Sequence, residues 1–152
     1  MDSNPPLLYA RDLMERALIT VSPETRILDI HRLFTEEEVH GAPVVADDGR
    51  VVGVLSSMDL LRIVRDALEA GDIDRLQELT AEDAMTREIV MVSSTMPVTE
   101  VAAKMLEHRI HRVLVGDDRV LAGLITSFDL LRAVARGGEA PVGLLRQTGY
   151  TR

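Results

Sequence analysis

Gly53-Val54-Leu55-Ser56-Ser57-Met58-Asp59-Leu60-Leu61-Arg62 and Gly123-Leu124-Ile125-Thr126-Ser127-Phe128-Asp129-Leu130-Leu131-Arg132 share one pattern: glycine, two apolar residues, a hydroxyl, and a carboxylate three positions later. Outward from this pair the correspondence continues. His40 matches His111, Val21-Ser22 matches Val92-Ser93, and Asp12-Leu13-Met14 matches Asp83-Ala84-Met85. The offset is 71 before the second copy's turn and 70 after it, so one residue is lost there. An internal repeat of this kind decides the architecture before any element is assigned.

Each copy predicts the same elements. Ser22-Pro23 has the residues of a helix entrance, Ser as N-cap and Pro at the first helical position, and Ile27, Ile30 and Phe34 follow at helical spacing. In the second copy Pro97 opens a helix whose apolar face is Val98, Val101, Ala102 and Met105. Ala42-Val45 and Val51-Leu55 are short β-branched runs around Asp47-Asp48-Gly49, which predicts a hairpin, and Val113-Val115, Asp117-Asp118 and Val120-Leu121 repeat it. A second helix follows each hairpin, with Leu60, Leu61, Val64 and Leu68 in one copy and Leu130, Leu131 and Val134 in the other. Each repeat therefore reads strand, helix, strand, strand, helix, an α/β (α+β) unit. The expected organisation is an N-terminal segment (1–9), a first repeat (10–70), a linker helix (71–80), a second repeat (81–136) and a mobile C-terminal tail (137–152). Within the linker Ile73-Leu79 is helical, and Thr80 with Asp83 starts the short helix carrying Met85.

Composition narrows the function. The 152 residues contain no Cys and no Trp, with two Phe and two Tyr, so thiol chemistry, thiolate metal sites and aromatic base-stacking are excluded or poorly served. The formal charge of −8 repels nucleic acid and anionic membrane. No apolar run approaches the 18 or so residues of a spanning helix, and a cytoplasmic protein without membrane insertion is expected. Phosphate loops, serine elbows and zinc-protease motifs are absent from the sequence, so no enzyme is expected.

The repeated hydroxyl-x-x-carboxylate sits where a strand hands over to a helix. Two readings are open there. A hydroxyl and the amides of a helix N-terminus can hold phosphate or ribose oxygens, and a carboxylate one turn on can accept from both ribose hydroxyls. Ser or Thr followed three residues later by an acid is also a capping box, which needs no ligand.

The segment from about Ala10 to Val134 resembles a tandem pair of CBS domains, a Bateman module. The matching residues are the Asp-x-Met leaders, Thr20-Val21-Ser22-Pro23, Gly41-Ala42-Pro43-Val44-Val45 and the two junctions. The resemblance implies two repeats packed with pseudo-two-fold symmetry, and clefts between them for an adenosine-containing ligand: AMP, ADP, ATP, NAD or S-adenosylmethionine. It implies that Ser56, Asp59, Thr126 and Asp129 hold phosphate and ribose. Adenine would meet Thr20, Val21, Ala42 and Pro43 in one copy, and Met91, Val92, Val113 and Leu114 in the other. His111-Arg112 resembles the His-Arg pair of AMP-sensing members. An acidic chain needs a local cation for an anionic ligand, and Arg112 offers a bidentate one; the alternative is that the histidines and Arg109 form a solvated helix end. Gly41 stands where the second copy has Arg112, and Leu114 where the first has Pro43, so the two sites are expected to be unequal. A metal at His108 and His111 lacks a third ligand. The resemblance further implies a regulatory, signal-transducing homodimer acting on a separate protein. Ligand-independent dimerisation or scaffolding, with Leu60, Val64, Leu130 and Val134 facing a second chain, is the alternative.

Overall fold

The computed structural model describes residues 7–137. Most of the expected N-terminal segment and nearly all of the tail thus lie outside the described residues. In chain order the elements are α1 (Ala10–Leu13), α2 (Ile27–Glu37), β1 (Gly41–Val45), β2 (Val51–Ser56), α3 (Ser57–Ala70), a 3₁₀ turn (Ile73–Gln77), α4 (Ala81–Ala84), β3 (Met91–Val92), α5 (Val98–His108), β4 (Arg112–Asp117), β5 (Val120–Thr126) and α6 (Ser127–Ala135).

These elements form two compact units, residues 18–89 on one hand and 7–17 with 90–137 on the other. The unit that folds is therefore not the repeat as it runs in sequence. The first leader, α1, packs with the second hairpin: Ala10, Leu13 and Met14 share a buried cluster with Val92, Val101, Val113, Val115 and Ile125. The leader of the second copy, α4, joins the first hairpin, where Ala81 is buried with Ile30, Phe34, Val44 and Leu55. A four-residue leader helix cannot bury an apolar face by itself, and each finds one on the other copy's elements.

In the unit of residues 18–89, β1 and β2 pair antiparallel with Gly41 opposite Ser56 and Pro43 opposite Val54. Their turn closes with Ala46 N–H donating to the Arg50 carbonyl at 2.9 Å, and Gly49 takes the left-handed conformation (φ 84°) that this three-residue loop requires. The expected first strand shrinks to one parallel bridge between Val21 and Val44. The helix expected at Ser22-Pro23 begins only at Ile27. Ser22 and Thr25 instead close a turn, with their hydroxyl oxygens 2.8 Å apart, and Arg26 is extended and paired with Thr80. Backbone bonds on both sides of that pair, Ile27 N–H to Leu79 O (2.9 Å) and Ala81 N–H to Thr25 O (2.8 Å), delay the helix by a turn. α3 ends as expected at Gly71, whose φ of 69° suits a glycine cap.

In the unit of residues 7–17 and 90–137 the sheet has three strands in the order β3-β4-β5. β3 pairs parallel with β4, and β4 antiparallel with β5, Arg112 lying opposite Thr126. The tight turn falls on Asp118-Arg119 (φ 52° and 63°), one residue later than expected. Asp117 stays in β4 and accepts from the Ser93 and Ser94 hydroxyls at 2.9 and 3.0 Å, which hold its carboxyl below the usual carboxylate range.

Candidate functional site

Both junctions are built alike. At the end of β2, Ser56 N–H donates to Asp59 Oδ2 (2.8 Å), Asp59 N–H donates to Ser56 Oγ (3.3 Å), and the Ser56 hydroxyl donates to Oδ2 (3.0 Å). At the end of β5, Thr126 N–H and Oγ1 donate to Asp129 Oδ2 at 2.8 and 3.0 Å, and Asp129 N–H donates back to Thr126 Oγ1 at 3.2 Å. The capping reading is therefore correct at both places. It does not use up the groups. Each hydroxyl keeps a lone pair, and the cap itself takes only Oδ2 of each carboxylate, so a ligand that competes for Oδ1 remains compatible with the cap.

The glycine of the pattern has a steric role. A Cβ on Gly123 would lie 2.7 Å from the Glu15 carbonyl oxygen and 2.8 Å from the Met14 side chain. One on Gly53 would lie 2.7 Å from Met85 Sδ and 2.9 Å from the Thr86 carbonyl oxygen. The leaders run against these strands through paired backbone bonds, Glu15 with Leu124 (2.8 and 3.0 Å) and Thr86 with Val54 (2.9 Å each way). Glycine thus admits the leader, and the leader sets one side chain beside each carboxylate. Thr86 Oγ1 donates to Asp59 Oδ1 at 3.3 Å, alongside Arg62 Nη1 at 3.0 Å. In the other unit Glu15 occupies the equivalent place beside Asp129, and Arg132 Nη1 stands 3.9 Å from Asp129 Oδ1.

Of the residues read from sequence, Arg112, Thr126 and Asp129 come together through the β4–β5 register, and Gly41, Ser56 and Asp59 through that of β1 and β2. Arg112 is half-buried and His111 exposed. The side chains of Val21, Ala42, Val92 and Val113 belong to the cores, so these positions present backbone. Thr20 is exposed, Met91 half-buried, and Pro43 and Leu114 buried. The helix-entry amides are partly spent: Ser57 and Ser127 N–H donate at 2.8 Å to the His40 and His111 carbonyls. Glu15, Thr86, Arg62 and Arg132 escaped the sequence reading. The signals in sequence were the arginine three residues after each junction carboxylate and the residue after each Asp-x-Met leader, Glu in one copy and Thr in the other. Among the described residues no three His, Asp or Glu side chains gather as a metal site. No helix among them is long and apolar enough to cross a membrane.

A family model described as the CBS domain matches residues 10–66 and 81–136. The chain belongs to the CBS-domain family. One hydroxyl-x-x-carboxylate junction of this CBS pair falls within each matched segment. The CBS domain pair of protein MJ0100, solved in complex with 5-methylthioadenosine and S-adenosyl-L-methionine, is 27% identical with a TM-score of 0.68, covering 87% of this chain and 99% of that one. CBSX2 in complex with AMP is 28% identical with a TM-score of 0.73, covering 86% and 98%. Among curated proteins, an inosine-5'-monophosphate dehydrogenase of Halobacterium salinarum is 32% identical over 124 residues; the match takes in 81% of this chain but 23% of the dehydrogenase.

Proposed function

We propose that this CBS pair is a non-catalytic regulatory module that binds an adenosine-containing ligand at Ser56–Asp59 and Thr126–Asp129 and transmits that binding to a separate protein. The observation that carries the reading is the alignment of Arg112 with Thr126 across the β4–β5 ladder, one helical turn from Asp129. It gathers a cation, a hydroxyl and a carboxylate around one strand end, the donor set that phosphate and ribose demand. The adenosyl ligands held by the MJ0100 pair and by CBSX2 support the ligand class. Gly41 in the place of Arg112 gives the Ser56–Asp59 site no such cation across the ladder, so it suits a ligand with fewer phosphates. An adenine nucleotide or another adenosyl compound is the proposed ligand, with no metal required.

A thermal-shift panel of AMP, ADP, ATP, NAD and S-adenosylmethionine tests this. At 100 times its dissociation constant a ligand adds about 2.7 kcal/mol to stability. An Asp59→Ala, Asp129→Ala variant should lose that shift; a chain whose melting temperature no adenosyl compound moves would sink the reading.

A second reading, assembly without ligand, draws on the exposed apolar residues of the second helices. These are Met58, Leu61 and Leu68 on α3, and Phe128, Leu131 and Val134 on α6. The outward stripe differs from the expected one, because Leu60 is buried in the core of its own unit and Leu130 packs against the core of the other. Beside α3 lies an apolar groove of about 710 Å³ between Ile27, Leu28, Phe34, Leu60, Leu61 and Val64. A second copy of the chain is the proposed cover, and the regulatory and assembly readings are compatible.

A further inference from the structure

Glu15 is 3% exposed, and no donor among the described residues reaches either of its carboxylate oxygens. Its backbone is fixed to Leu124 of β5, and across from it α6 presents Asp129 and Arg132. β5 itself has no titratable side chain. The charged side chains of α1 are engaged elsewhere, Asp12 accepting from Tyr9 N–H at 2.8 Å and Arg11 standing over the Tyr9 ring. Two buried carboxyl groups thus face one another, whereas in the companion unit the same position holds Thr86, a neutral donor to Asp59.

Burial first, and then the charge of Asp129, push the Glu15 carboxyl from 4.5 up to about 7, with Arg132 pulling the other way. While protonated, Glu15 is the donor to Asp129 that Thr86 is to Asp59. Once ionised, it leaves two like charges in a site of low polarity.

We propose that Glu15 is a positioning residue of the Thr126–Asp129 site, acting through Asp129, and that it makes binding of a vicinal-diol ligand there proton-linked while the Ser56–Asp59 site is not. This rests on the reading of Thr126–Asp129 as a ligand site. Diol hydroxyls that donate to Asp129 take over the acceptor capacity used by protonated Glu15, and their hydrogen bonds favour the ionised pair. The Glu15 proton then leaves to solvent, and affinity rises with pH through neutrality. A ligand that set an anionic group against the pair would do the opposite and take a proton up.

The test uses the full chain carrying Asp59→Asn, which silences the other site, with adenosine as probe. Calorimetric titrations run from pH 5.5 to 8.5 in two buffers of different ionisation enthalpy. The expected result is a several-fold gain in affinity across neutrality with proton release, and a flat profile without release in Glu15→Gln, which keeps a donor but cannot titrate. Glu15→Thr, the residue of the other repeat, should be equally flat and serves if the glutamine variant misfolds. A flat profile or proton uptake with Glu15 present, or a slope that survives Glu15→Gln, overturns the proposal and leaves the ligand reading standing. If adenosine binds at no pH to any variant, both fall.

Discussion

At the residue scale the two halves of the protein differ most at Glu15 and Thr86. Backbone pairing puts both in the same place, yet one is a buried acid and the other a neutral hydroxyl. The acid has a thermodynamic signature independent of any ligand. Its carboxyl is raised from 4.5 to about 7 in the fold, so between those values the native state binds more protons than the unfolded chain. Stability is then unimpaired by Glu15 at pH 4 and falls as pH rises through neutrality, levelling off above about 8. At about 1.4 kcal/mol per pH unit of displacement, ionised Glu15 costs on the order of 3 kcal/mol. Urea unfolding should therefore show Glu15→Gln gaining on the wild type steadily from pH 5 to pH 8; equal pH dependence in both proteins would refute it.

Elements in this protein are placed by close approach more than by propensity. The leaders carrying Met14 and Met85 lie on β5 and β2 because Gly123 and Gly53 leave no side chain in the way. Gly123→Ala would press a methyl group to 2.7 Å from the Glu15 carbonyl, which is backbone and cannot swing aside. Overpacking of this sort costs about 1–3 kcal/mol, and urea denaturation should show a loss of that size. Gly137→Ala is a useful control, since no described residue lies within 4 Å of its site, whose φ of 69° penalises a side chain. The two hairpins, both long helices after them and the glycine stop at Gly71 were legible, because alternation, period and turn residues are local. The start of α2 was not. Ser22-Pro23 has good helix-entry chemistry, but pairing of Arg26 with Thr80, far along the chain, keeps the backbone extended.

For the molecule as a whole, the duplicated sequence folds into two units that each combine parts of both copies. The outer faces of α3 and α6 remain apolar and exposed, and a second copy is their proposed cover. Leu61→Glu combined with Leu131→Glu places charge on both faces without touching either core. Sedimentation velocity should show a dimer for the wild type and a monomer for the double variant. A wild type that sediments as a monomer at all concentrations would remove assembly from the account.

The sequence by itself determined the repeat, the order of its elements, the hydroxyl-x-x-carboxylate at each junction and the standing of Gly41 in one copy where the other has Arg112. These are matters of spacing and residue type, and both survive translation along the chain. Only the tertiary structure decided which leader packs on which hairpin, that core packing claims the side chains of Val21, Ala42, Val92 and Val113, and that Glu15 lies buried against Asp129. Those outcomes depend on contacts between residues distant in the chain, such as Thr86 with Val54 and Glu15 with Leu124, where burial and like-charge proximity act and no local period records them.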